Sequence, residues 1–293
     1  MPTLPAETLE SRFGFAFPAG LFRFQEFARD QTAGGAPLEA PPLSVRLANL
    51  FRAFEQPPRN DAGDPDVLET RLYKDPPEFI TALLGDTDGV HWGYYVDDPA
   101  DRPSCVARYY HNDAYQLTAF GGLFDAVNEH AKALRRTLAE YVETDPDSAE
   151  SYRRDIVKVD ALLGRLAPLA AEEPLRRSIT APTRDGMGIV VPPDRYAPLA
   201  PRDLFQESRY VPDEAEVRRL HEAALKALKS GYAGSALKLG KDLWDYPGCF
   251  DVSCELLDAA YEALGRQVLR DRLRRIRDYR RKTDAGRPPG PSA

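Results

Sequence analysis

The chain has 293 residues, a formal net charge of −7 and 43% hydrophobic residues. This length suits two modest domains, because a single hydrophobic core stops growing near this size, and the apolar fraction excludes wholesale disorder. No run of about 18 apolar residues occurs, which excludes a membrane-spanning helix, and the acidity of the whole speaks against a general nucleic-acid binder.

In chain order, the first fifty residues read as helices. Phe17, Leu21, Phe24 and Phe27 recur at helical spacing, and Leu43, Leu47, Leu50 and Phe54 repeat the pattern after a Gly/Pro break at 33–42. A polar loop at 57–66 leads into strand-like segments at 67–73, closed by Pro76-Pro77, and at 90–96. Segments 106–110 and 115–120 flank a short polar turn at 111–113 and read as a hairpin. Gly121-Gly122 closes this region. A long amphipathic helix follows, with Leu123, Val127, Leu134, Leu138 and Tyr141 on one face. A second opens on a capping-box-like Asp147/Glu150 pair, runs through Tyr152, Ile156, Val159, Leu163 and Leu166, and stops before Pro168.

Prolines 192, 193, 198 and 201 mark a connector, since neither a helix interior nor a central strand tolerates them. Beyond it, four short amphipathic helices with Gly or Pro-Gly stops make a bundle. The expected fold is α+β: an N-terminal antiparallel sheet flanked by helices, then an all-helical domain. The expected division is 1–190 for the α+β domain, 191–212 for the Pro-rich connector and 213–293 for the helical domain, which ends in a basic helix and a disordered tail. Residues 266–282 carry a local charge of +7, leaving −14 elsewhere. A solvated helix face is the simpler reading of that charge, and contact with an acidic partner or nucleic acid is the other.

Motifs for independent catalysis are missing. Gly234 and Gly240-Lys241 are one residue too far apart for a phosphate loop, with Asp242 where a magnesium-binding hydroxyl belongs. Gly186-Met187-Gly188 runs into prolines rather than a helix, so it lacks the N-terminus a dinucleotide needs. His91 in the aromatic strand reads as a core histidine, and no HExxH or GxSxG occurs. Glu214 and Glu216 have the ExE spacing of some ADP-ribosyltransferases, yet they sit in the first turn of a helix, where acids offset its dipole. Cys105, Cys249 and Cys254 form neither a CxxC pair nor an even set, so neither a disulfide framework nor zinc is expected. No catalytic residue, metal or cofactor is assigned. The N-terminus lacks a secretory pattern, and an intracellular soluble protein is expected, cytoplasmic in a bacterium or nuclear in a eukaryote.

Several short segments recur in a fixed order: FGFAFP near the start, YKDPPEF at 73–79, HWGYYVDDP at 91–99, GMGIVVPPD at 186–194, SRYVPDEAEVRRL at 208–220 and GYAGSALKLGKDLW at 231–244. Together they resemble the histone PARylation factor family. The resemblance implies an α/β N-terminal domain and a helical C-terminal one. It also implies an accessory factor that docks on a poly(ADP-ribose) polymerase-like transferase and lends residues to a shared active site. The family's Tyr-Arg pair falls on Ser208 and Arg209, and its Asp-Glu pair on Lys229 and Ser230. The family glutamate is a general base that directs ADP-ribosylation to serine. A serine hydroxyl cannot take that role without another base. Residues 223–241 contain no Asp or Glu, so a slip in alignment supplies none. The expectation is a partner-binding factor without its own catalysis, with Ser208, Arg209, Lys229 and Ser230 at the interface. The alternative is a two-domain interaction module with no remaining role in ADP-ribosylation.

Overall fold

The computed structural model describes residues 6–32, 38–52, 71–86, 88–103, 105–110, 116–172, 174–200, 203, 205 and 212–285. The chain forms two compact units. The first comprises Met1–Pro57, Ile80–Val96 and Asp101–Arg177, the second Pro58–Phe79, Asp97–Ala100 and Ser178–Ala293.

The first unit is built on a five-stranded antiparallel sheet in sequential order: β1 (Arg46–Leu47), β2 (Phe79–Leu84), β3 (Val90–Tyr95), β4 (Cys105–Tyr110) and β5 (Leu117–Phe120). Every residue of β3 is buried, so its aromatic run fills a core rather than lining a surface. It pairs along its whole length with β4, from Val90↔Tyr110 to Tyr95↔Cys105. Asp88 and Gly89, just before β3, both take positive φ (50° and 64°), which suits an Asp-Gly turn between strands. His91 is fully buried, with Nδ1 2.8 Å from the Gly89 carbonyl oxygen. It is a core histidine, as its setting in the strand suggests.

Helices α1 (Ala6–Phe13) and α2 (Ala19–Thr32) precede the sheet. Between them Phe13, Phe15 and Phe17 form an aromatic cluster, and Phe17 meets Tyr94 edge-on at 5.6 Å. The expected helix over Leu43–Phe54 is a correction. Ser44 sits at φ 52°, Arg46 and Leu47 pair with Leu84 and Leu83, and among the described residues of this stretch only α3 (Asn49–Arg52) is helical, Phe54 lying outside them. Edge pairing with β2 takes the backbone groups that a helix would use. Two long helices follow the sheet, α4 (Leu123–Thr144) and α5 (Ala149–Ala170). Leu123, Val127 and Leu138 of the predicted stripe are buried on α4, and Val159 and Leu166 on α5. Pro168 does not end α5 but lies in its last turn.

Residues 71–73 are not a strand, contrary to the pattern. Asp75 organises a turn there, accepting the Leu72 N–H at 2.7 Å on its carboxylate while its own N–H bonds the Leu72 carbonyl at 3.1 Å. The Arg71 guanidinium donates to the Tyr73 and Asp75 carbonyls. Strand positions 67–70, the hairpin positions 111–115, the connector positions 201–202, 204 and 206–211, and the expected tail at 286–293 lie outside the described residues.

The second unit is helical: α6 (Glu214–Lys229), α7 (Ala233–Leu243), α8 (Phe250–Ala263) and α9 (Gln267–Ala285). Asp213 caps α6, accepting the Glu216 N–H at 2.8 Å. All eleven residues of α7 are buried, including Lys238, Lys241 and Asp242. A chain reversal around Gly186-Met187-Gly188 packs beside this bundle, held by a bridge between Ala181 and Ile189. Gly188 has φ 68°, and a Cβ there would meet the Ala181 carbonyl at 2.8 Å, so both backbone and space call for glycine.

Candidate functional site

Helix α6 ends in a Schellman turn. Gly231 takes φ 94°, the Tyr232 N–H bonds the Ala227 carbonyl at 3.0 Å, and the Gly231 N–H bonds the Leu228 carbonyl at 2.9 Å. Lys229 is the last helical residue and Ser230 the C-cap, and both are exposed. The Ser230 hydroxyl donates to the Lys226 carbonyl at 3.2 Å. The structure thus brings Lys229 and Ser230 together at one solvent-facing corner. Ser208 and Arg209 lie outside the described residues.

What fixes that corner is α7, directly after it. Gly234 approaches the 191–196 segment so closely that a Cβ would come within 2.8 Å of Val191 Cγ2 and 2.9 Å of the Arg195 carbonyl. Ser235 reaches the same segment, its hydroxyl donating to the Ala197 carbonyl at 2.6 Å and accepting the Ala197 N–H at 3.1 Å. One turn on, Lys238 Nζ lies 2.5 Å from Asp242 Oδ2 and 2.8 Å from Asp203 Oδ2. Asp242 Oδ1 accepts the Arg184 N–H at 2.8 Å, and Lys241 Nζ donates to the Gly188 carbonyl at 2.6 Å. The glycine loop and the LKLGKDLW helix are therefore one assembly, and the three charged residues of that motif, Lys238, Lys241 and Asp242, are its internal ties.

The electrostatics follow from burial. Burial pushes the Asp242 carboxyl up to about 7, against the pull of Lys238 and the Arg184 N–H. At Lys238 burial works the other way, but Asp242 and Asp203 outweigh it and its pKa is raised. Desolvation prevails at the carboxylate and pairing at the amine. Glu78 is also raised, by burial, with Lys241 and a 2.6 Å bond from the Tyr261 hydroxyl opposing the shift. Beside α7 a small pocket of about 70 Å³ opens between Tyr196, Leu199, Phe205, Arg219 and Lys238.

The YKDPPEF segment joins this unit. Trp244 Nε1 donates to the Lys74 carbonyl at 2.8 Å, Arg272 Nε to the Pro77 carbonyl at 3.0 Å, and Arg280 Nη2 to the Tyr73 carbonyl at 2.5 Å. The Arg280 guanidinium lies over Tyr73, Phe250 and Trp244 at 4.4, 4.3 and 5.0 Å. Much of the positive charge on α9 and at Arg266 just before it is also engaged within the unit. Arg270 and Arg274 pair with Asp258, Arg281 pairs with Asp251, and Arg266 donates to the Val190 carbonyl. Asp203, Lys238, Asp242, Glu78 and Tyr261 are organising residues that the sequence reading missed. Only the i,i+4 spacing of Lys238 and Asp242 hinted at one of these pairs.

Among the described residues no group of His, Cys, Asp and Glu could hold a metal ion, and no helix is long and apolar enough to cross a membrane. Compared with known families, residues 5–275 match Histone PARylation factor 1. The chain belongs to that family. Among its relatives, Histone PARylation factor 1 of Mus musculus is 25% identical over 289 residues, covering 89% of this chain and 82% of that protein. Histone PARylation factor 1 of Danio rerio is 29% identical over 126 residues, a match that takes in 41% of this chain and only 36% of the relative. Of the motifs that pointed to the histone PARylation factor family, YKDPPEF, GMGIVVPPD and LKLGKDLW tie the second unit together. Within the matched range Lys229 and Ser230 stand on a surface corner.

Proposed function

We propose that this protein is an accessory factor of the histone PARylation factor type, which docks on an ADP-ribosyltransferase without supplying a general base. Family membership over 5–275 supports the first half. The observation that carries the second is the α6–α7 corner, where an exposed Lys229-Ser230 pair stands at the end of a helix and residues 223–241 contain no carboxylate. The nearest acids in sequence are Glu222, two turns back on α6, and Asp242, which is buried and tied to Lys238. Neither replaces a carboxylate at 230.

In this reading Arg209 and Ser208 join Lys229 and Ser230 in the contact. A guanidinium fork suits carboxylate or phosphate recognition. Pull-down of the full chain from its own host, with and without NAD, tests the docking, with recovery of a polymerase-like transferase expected. Arg209→Ala should weaken binding to the recovered partner about tenfold. Repeated recovery of partners that carry no transferase would favour a two-domain interaction module, a reading that the absent carboxylate also suits.

A further inference from the structure

A cavity of about 660 Å³ in the first unit plays no part in the docking reading. Its size falls within the roughly 300–1,000 Å³ of small-molecule sites. Arg102, which precedes β4, and Arg176, which follows α5, both line it. Among the described residues neither guanidinium has an ion-pair or hydrogen-bond partner. Of the other arginines of this unit, Arg23 pairs with Glu172 and Arg135 with Asp160, while Arg165 lies over Phe27 and Arg177 over Tyr95. Two guanidinium groups from separate stretches of chain thus line one cavity.

The remaining lining sharpens the ligand class. Glu172 contributes a carboxylate, but Arg23 holds it at 2.8 Å. Asp125, on the opening turn of α4, is occupied by the Gly121 N–H at 2.9 Å, and the adjacent Gly122 N-cap carries no side-chain cap. Pro18, Pro103 and Pro174 supply apolar wall. Two exposed, unpaired cations on one cavity suit an anion of at least two charges, which one carboxylate does not provide, and guanidinium forks match phosphate oxygens in bidentate fashion. The volume and the proline walls leave room for an organic body beside the phosphate.

We propose that this cavity binds a phosphate-bearing small molecule of the size and charge of a nucleoside diphosphate, with Arg102 and Arg176 clasping the phosphates. Isothermal titration of the full chain with ADP tests it, with pyrophosphate, adenosine and succinate as comparison ligands. ADP should bind, adenosine should not, and affinity should fall as salt rises. Arg102→Ala and Arg176→Ala should each weaken ADP binding about tenfold or more, while Arg153→Ala on α5 leaves it unchanged. Both arginines are exposed, so the melting temperature of each variant should match that of the parent. Pyrophosphate binding as tightly as ADP would support the site as a reader of phosphate alone. No binding of ADP or pyrophosphate at millimolar concentration, equal affinity for succinate, or ADP affinity unmoved by both substitutions would overturn the proposal.

Discussion

At residue 230 the side chain is nearly free to change, because the turn does not depend on it. Gly231 supplies the left-handed backbone, and main-chain bonds from Gly231 and Tyr232 close the cap. Among the described residues the only side-chain bond of Ser230 is an exposed one, to the Lys226 carbonyl. A carboxylate there faces the negative end of the α6 dipole, a penalty of about 0.3–1 kcal/mol, with Lys229 alongside to offset it. Ser230→Glu should therefore fold like the parent. With a compatible polymerase it should raise serine-directed ADP-ribosylation by roughly 10²–10⁴-fold, the usual contribution of a positioned base. The gain should fade as pH drops towards about 4.3, since only the ionised form accepts a proton. Ser230→Gln controls for size. Equal activity from the Glu and Gln variants, despite docking, would remove this corner from the chemistry.

At the scale of the element, α7 shows what fully buried helices demand. Gly234→Ala gains helix propensity of about 1 kcal/mol, but its Cβ would press on a backbone carbonyl at 2.9 Å that cannot swing aside. Net destabilisation of about 1–3 kcal/mol is expected, read as a lower midpoint in urea with an unchanged slope. A midpoint at or above the parent's would mean that segment 191–196 yields. Asp242 gives a second test. Its folded pKa of about 7 lies above the unfolded value near 3.9, so the folded state holds the extra proton between those pH values. Its contribution is fully present below about pH 4 and is lost as pH rises to about 7. The stability of the parent minus that of Asp242→Asn should therefore fall across that window, and a difference that rises with pH would reverse the assignment. The same element explains what the sequence could convey. Helices α4, α5 and α9 bury one face, so their stripes were readable. A helix buried all round gives no stripe, and its Lys238 and Asp242 look like solvent residues. Strand β2 was missed for a related reason, because Phe79–Leu84 is apolar almost throughout and shows no alternation. The corner at Lys229 and Ser230 was legible through family spacing alone, since neither residue type carries chemistry by itself.

At the scale of the molecule, the second unit draws on three separate stretches of chain. A cut at the prolines after Val191 follows the punctuation of the sequence, yet it removes parts of the bundle's own support. Trp244 would lose the Lys74 carbonyl, Tyr261 the Glu78 carboxylate, Arg272 the Pro77 and Phe79 carbonyls, and Arg280 the Tyr73 carbonyl. Each bond contributes about 0.5–1.5 kcal/mol and those from guanidinium more, against a total stability of only about 5–15 kcal/mol for a typical domain. The loss extends to packing, because Arg272 and Arg280 are themselves buried and Phe79 is fully enclosed. A fragment of residues 191–293 should keep far-ultraviolet helical signal, lose near-ultraviolet signal from Trp244 and Tyr261, and melt without cooperativity. Adding back a peptide of residues 71–79 should restore part of the near-ultraviolet signal, because the peptide carries five of the lost acceptors. A fragment that melts as sharply as the intact chain would show that the four helices suffice. Docking measured on such a fragment would then be meaningful, whereas a loose fragment makes the intact chain the required form for any test of Lys229 and Ser230.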